Sequence, residues 1–110
     1  MARFVKGDVV VVPFPFSNLA DAKKRPALVI AVLSGNDVML CQITSQIRQD
    51  PDAIALENGD FRTGSLRKSS NIRPNRIFTA DRQIIQSKIG ELRAETLDAV
   101  IDQLITILKR

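Results

Sequence analysis

The chain has 110 residues, with 16 Lys and Arg against 12 Asp and Glu, one cysteine and no histidine. That length supports one domain, 1–110, burying roughly 65% of the unfolded surface without a metal or disulfide staple. No apolar run approaches the ~18 residues of a membrane span, and Arg3, Lys6 and Asp8 break up anything like a signal-peptide core, so a cytoplasmic protein with no membrane association is expected.

Gly7-Asp8 followed by VVVV reads as a turn entering a strand, Asp8 to Val12, which Pro13 closes because it has no N–H to give to a ladder. The stretch PFPFSNLADAKKRP, Pro13 to Pro26, is punctuated as a loop. ALVIAVL and VMLCQIT flank the turn residues SGND, Ser34 to Asp37, and predict a hairpin over Ala27 to Thr44. Cys41 lies in the second of these runs and is read as a small core residue rather than a nucleophile. A short strand is expected at Ala53 to Leu56, before the Asn58-Gly59 turn, and two more at SLRKSSNI and RIFTA, separated by Pro74. From Ala94 the period becomes helical, with Leu97, Val100, Ile101, Leu104 and Leu108 on one face. Arg93 stands where a capping side chain would stabilise the first turn by about 1 kcal/mol. These elements define a mainly β fold with a C-terminal helix, a small and strongly bent sheet or barrel.

The absence of histidine removes Ser-His-Asp, Cys-His and paired-histidine nuclease mechanisms, together with the usual zinc sites. Asp50, Asp52, Glu57 and Asp60 lie in a base-free interval that could hold Mg²⁺, but they lack calcium-loop spacing and read better as a solvated loop. Bases gather in two places: Lys23, Lys24 and Arg25 before the second strand, and Arg62, Arg67, Lys68, Arg73 and Arg76 in an interval without an acid. Arginine's forked donor suits phosphate, so a nucleic-acid groove and a solubilising rim weigh about equally on composition alone. Phe14, Phe16 and Phe61 flank these segments and could stack bases, although each alone is more often core. A tight turn centred in SGND would pair residue 27 with residue 44 and bring Arg25 close to Thr44. There Arg25 could stabilise a phosphorane-like charge, with Thr44, Ser45 and Gln46 orienting a phosphate or an attacking 2′-hydroxyl. The competing reading makes Thr44 to Gln46 a polar strand end and Arg25 a loop cap.

GDVVVVPFPFSNLADAKKRPALVIAVL, LCQITSQ and GSLRKSSNIRPNRIFTADRQIIQSKIGEL, in that order, resemble the MazF/PemK family of type II toxin–antitoxin toxins over nearly the whole chain. The resemblance implies an SH3-like barrel with an added helix, of the kind shared by MazF, PemK and CcdB toxins, and a homodimer. It also implies a metal-independent endoribonuclease that cuts single-stranded RNA at short sequences, needs no cofactor and is held by an acidic antitoxin. Arg25 would be the catalytic arginine and Thr44 the catalytic hydroxyl. Lys23, Lys24, Ser45, Gln46, Arg67, Lys68, Arg73, Asn75 and Arg76 would bind RNA. Some members carry an acidic residue where this chain has Asn75, whose amide can bind but cannot take a proton. A topoisomerase-binding toxin of the same fold and a non-catalytic RNA-binding barrel are the alternatives.

Overall fold

Seven strands and one helix organise residues 3–14, 23–46 and 49–110, the part of the chain described by this computed structural model. They are β1 (Asp8–Phe14), β2 (Lys23–Val32), β3 (Asp37–Thr44), β4 (Ile54–Leu56), β5 (Phe61–Gly64), β6 (Ser70–Asp81), β7 (Ser87–Leu92) and α1 (Ala94–Lys109). All strands join one antiparallel sheet in the order β4-β6-β3-β2-β1-β7-β5. Its two edge strands, β4 and β5, are separated in sequence only by residues 57–60. A link that short spans no more than ~14 Å, so the sheet has to curl until its edges nearly meet. The result is a half-barrel with α1 packed against one of its apolar faces.

The alternation of side chains along the strands gives the sheet two apolar faces. One gathers Val9, Leu28, Cys41, Ile43, Leu56, Phe61 and Ile72 beneath Val100 of α1, with Leu97, Ile101 and Leu104 packed against them. The other gathers Val10, Val12, Val29, Val38 and Leu40 under Phe4, Phe78, Ile84 and Ile85. Phe61 is therefore core, 5% exposed, and is not available to stack a base. Phe16 lies outside the described residues, and so does the side chain of Phe14. Leu108 departs from the expected helical face and is 73% exposed. At the end of α1 the inward side has rotated toward Gln103 and Arg110, which both bond Asp52.

The basic triplet and its proline belong to β2 rather than to a loop, because β1 runs on through Pro13 to Phe14 and pairs Val12 with Arg25 and Phe14 with Lys23. Two prolines are tolerated here because each strand has lost its other neighbour. The β1–β7 ladder ends at Val11↔Ser87 and the β2–β3 ladder at Ala27↔Gln42, so Pro13 and Pro26 can turn their missing N–H groups to an unpaired side. The hairpin register also differs from the expected one. Leu33 N–H donates to Asp37 O at 3.0 Å and a bulge falls at Ile30, between Val29 and Ala31, so Ala27 faces Gln42 rather than Thr44. Pro74 does not divide two strands. β6 passes through it by bulging, from Gln42↔Arg73 to Cys41↔Ile77, with 74–76 displaced from the ladder. β5 and β7 were not anticipated at all.

Candidate nucleic-acid interface

β2 follows β1 at its start, while β3 follows β6 at its end, as far as Thr44↔Asn71. Between them the sheet opens. The opening leads into a cavity of about 630 Å³ whose walls are Val11, Pro26, Leu66, Ile89 and the buried Ser70 and whose rim carries Lys24, Arg25, Arg67, Lys68 and Ser45. Four cations and no acid line it. None of the four makes a side-chain ion pair or hydrogen bond with another described residue. A cluster of unneutralised like charges is costly to assemble unless a polyanion occupies it.

Arg67 and Lys68 arrive on the β5–β6 loop, which is fixed at both ends. Ser70 Oγ donates to Lys68 O at 3.0 Å, and Ser69 Oγ to Glu57 Oε2 at 2.6 Å. At the loop's start Gly64 has φ +78° and lies so close to β7 that a Cβ there would collide with the Ile89 carbonyl and Gly90 Cα. Only glycine fits that crossing.

On the other side of Ser45 a narrow cleft is bordered by Thr44, Gln46, Asp50, Asn71 and Arg73. Gln46 N–H donates to Thr44 Oγ1 at 3.2 Å, which orients the hydroxyl and leaves its own proton to give. Arg73 Nε donates to Asp50 Oδ2 at 2.9 Å, and Asn75 Nδ2 to Asp50 Oδ1 at 3.1 Å. Burial pushes the Asp50 carboxyl up, but hydrogen bonds from Arg73 and the Asp52 N–H, the Arg73 charge and the Asn75 amide outweigh it and hold the group below the usual aspartate value.

The structure thus brings Lys24, Arg25, Ser45, Arg67 and Lys68 to one cavity and Thr44, Gln46 and Arg73 to the adjoining cleft, while Asn75 does not line the cleft and reaches it only through its hydrogen bond to Asp50. Continuing the β2–β3 register two residues past Ala27↔Gln42 sets Arg25 opposite Thr44, across the opening. Lys23 and Arg76 are exposed but do not line either space. The acid-free interval does not act as one basic block, because Arg62 pairs with Glu91 and Arg73 with Asp50. Nor are the four carboxylates a solvated loop. Asp52 is buried and accepts from Gln103 and both Arg110 nitrogens, at 2.8–3.2 Å. Glu57 and Asp60 cap the 3₁₀ turn Asn58–Asp60 reciprocally, and Asp60 also accepts from Thr96 of α1 at 3.0 Å. That bond ties down a helix whose N-cap, Arg93, supplies no side-chain cap. Cys41 is fully buried, and burial pushes its thiol up to about 12.

The apolar walls escaped the sequence reading, and Asp50, expected in a solvated loop, is instead held against Arg73 at the cleft. Leu66 and Ile89 carry no signal of their own, since only the unanticipated β5–β7 pairing brings them beside Arg25. A second cavity, of about 550 Å³, contains Arg3, Arg82 and Lys88. Two of its cations are already engaged: Arg82 Nη2 donates to Gly35 O at 3.2 Å, and Lys88 Nζ lies 3.2 Å from Asp8 and 2.9 Å from Glu91.

Half-barrel, terminal helix and an open, cation-rimmed sheet end together define a toxin fold. The profile of the family described as PemK-like, MazF-like toxin of type II toxin-antitoxin system matches residues 5–108, and the chain belongs to that family. No curated protein matches it in sequence. Among solved structures it is similar to MazF from Deinococcus radiodurans, with TM-score 0.77 and 20% identity over 100% of both chains. A chain of a Deinococcus radiodurans MazE-MazF complex gives 0.77 and 21% over 96% of each. An endoribonuclease from a Mycobacterial species in complex with its cognate antitoxin gives 0.76 and 17%, over 97% of this chain and 96% of that one. At these identities the likeness is one of fold. Among the described residues no helix is long and apolar enough to cross a membrane.

Proposed function

We propose that the chain is the toxin of a toxin–antitoxin pair and acts as an endoribonuclease on single-stranded RNA at short sequences, without a metal or cofactor. The observation that carries this is the set of four cations, without an ion-pair partner among the described residues, around an apolar-walled cavity beside Thr44 and Ser45, in a chain of this family. Lys23, Lys24, Arg67, Lys68 and Arg76 draw the phosphate backbone in, and a base enters against Leu66 and Ile89. The RNA 2′-hydroxyl gives its proton to water and its oxygen forms a bond to phosphorus as the P–O5′ bond breaks and O5′ takes a proton from water, leaving a 2′,3′-cyclic phosphate and a 5′-hydroxyl. Arg25 meets the charge that develops on the phosphorane oxygens, and Thr44 donates to them from the opposite side. Ser45, Gln46, Arg73 and Asn75 fix the strand beside the scissile phosphate. The same cations suit an acidic antitoxin segment that orders on contact. The protein would work as a cytoplasmic homodimer, as its family resemblance implies.

The test is incubation of the purified protein with RNA in excess EDTA, followed by mapping of the ends. Cuts with 5′-hydroxyl and cyclic-phosphate ends at a recurring short sequence are expected. RNA that binds but stays intact would leave a non-catalytic binding barrel. Cleavage lost in EDTA and restored by Mg²⁺ would overturn the metal-free mechanism.

A further inference from the structure

We propose that Asp50 is a positioning residue of the cleavage site: its carboxylate grips Arg73 by Nε and so aims the two terminal guanidinium nitrogens at a phosphate seated at the mouth of the cleft beside Thr44, whose own volume of about 10 Å³ holds no more than a water. This rests on the RNA-cleaving reading above. Arg73 stands at the edge of the β6 bulge, paired with Gln42 of β3 as the last residue in register before 74–76 leave the ladder, and on its other side the β4 ladder has already ended at Ile54↔Ile72, so no strand on that side fixes its long side chain. Asp50 supplies the fixing. Its side chain is 5% exposed and both oxygens are used, Oδ2 by Arg73 and Oδ1 by the Asp52 N–H at 3.0 Å and by Asn75.

Two features separate positioning from simple charge pairing. The bond goes to Nε, so the flat fork of terminal nitrogens, bonded to no other described residue, remains able to hold two phosphate oxygens. The pair is also neutral as a whole. It adds little to long-range attraction for RNA, and a carboxylate beside a polyanion site would by itself oppose binding. What the pair can contribute is geometry at the reacting phosphate, and that appears in kcat rather than KM.

The experiment is single-turnover and steady-state cleavage by wild type, Asp50→Asn, Arg73→Ala and the double variant, each verified as folded by circular dichroism. Asp50→Asn keeps shape and an acceptor, so it preserves the loop. Its kcat should fall roughly 100-fold, as for a misplaced group, with KM close to wild type. In the Arg73→Ala background the same change should do almost nothing further, because Asp50 acts through Arg73. Should Arg73→Ala not fold, Arg73→Lys, which keeps a cation but loses the fork, takes its place in the cycle. Wild-type kcat in Asp50→Asn, additive losses in the double variant, or a loss confined to KM would each overturn the proposal. A wild type that leaves RNA uncut overturns the parent reading and this one with it, a result distinct from active wild type with indifferent Asp50.

Discussion

Gly64 and Gly35 have nearly the same backbone, φ +78° and +72°, and opposite surroundings, so replacing each by alanine separates conformational strain from collision. Around Gly35 nothing lies within 4 Å of the added Cβ. Gly35→Ala therefore costs about 1–2 kcal/mol for the left-handed conformation, reduced by about 0.4–1 kcal/mol because alanine restricts the unfolded chain. The net loss is ~1 kcal/mol. Gly64→Ala carries the same strain and also drives Cβ into the backbone of Ile89 and Gly90. Backbone in a ladder has no rotamer to yield. Relief comes by parting β5 from β7 at Thr63↔Glu91 and Gly64↔Gly90, and losing two such hydrogen bonds adds about 2 kcal/mol. Urea unfolding should give a loss of ~3 kcal/mol for Gly64→Ala against ~1 for Gly35→Ala. The Gly64 variant should also bind an uncleavable RNA more weakly, since the β5–β6 loop carries Arg67 and Lys68. Equal losses for the two variants would refute the close β5–β7 approach. Unchanged RNA affinity would refute the role given to the loop.

Arg25→Ala should slow cleavage by roughly 10²–10³-fold in single-turnover assays at saturating protein, whereas Lys24→Ala should act on affinity and reduce its salt dependence. Phe61→Ala, emptying a fully packed position beneath α1, should destabilise by about 3–5 kcal/mol in the same urea titration. Hydrogen bonding to Glu91 raises the Lys88 pKa against the opposing effect of burial, with Asp8 adding to the rise. Its stabilisation is thus complete below the unfolded value of about 10.4 and is lost as pH rises through the folded one. Lys88→Met should remove that alkaline decline from the melting temperature. Glu91 is held low by Arg62 first and Lys88 second, so its contribution is present above the unfolded value of about 4.3 and disappears as pH falls. Glu91→Gln should flatten that part of the acid limb.

The hairpin, the terminal helix and the bent-sheet class were readable because each has a local cause: turn chemistry at Ser34 to Asp37, a 3.6 period from Ala94, and short apolar runs between punctuation. β5 and β7 were not readable. Phe61–Gly64 is mostly exposed, and Ser87–Leu92 alternates too weakly, so what makes them strands is pairing with each other and with β1. Pro74 misled for a related reason, since a bulge lets β6 keep its partner β3 on both sides of it. The acids misled differently. Asp50, Asp52 and Asp60 have partners 23, 58 and 36 residues away, in Arg73, Arg110 and Thr96. Nothing in a window around them distinguishes a buried carboxylate from a solvated one.

Why the densest cations stand at the mouth of a buried strand follows from where the ladders stop. A strand paired on both sides presents only its faces, and here both faces are core. From Arg25 back to Lys23, β2 keeps β1 and has lost β3; from Ile43 to Thr44, β3 keeps β6 and has lost β2. Each strand continues along the neighbour it retains, so the two diverge and open the sheet between a guanidinium and a hydroxyl that the register would otherwise set face to face. The bulge at Ile30 is what makes them opposite, because drawing Ile30 into the ladder opposite Leu40 would shift every pair beyond it by one and set Arg25 against Ser45. Deleting Ile30 removes the unpaired residue and leaves Ala31 against Met39 and Val29 against Leu40, so Arg25 should stay opposite Thr44 and cleavage should fall only in proportion to the unfolded fraction. A deletion variant that folds but loses cleavage well beyond its unfolded fraction would show that register alone does not set the opening.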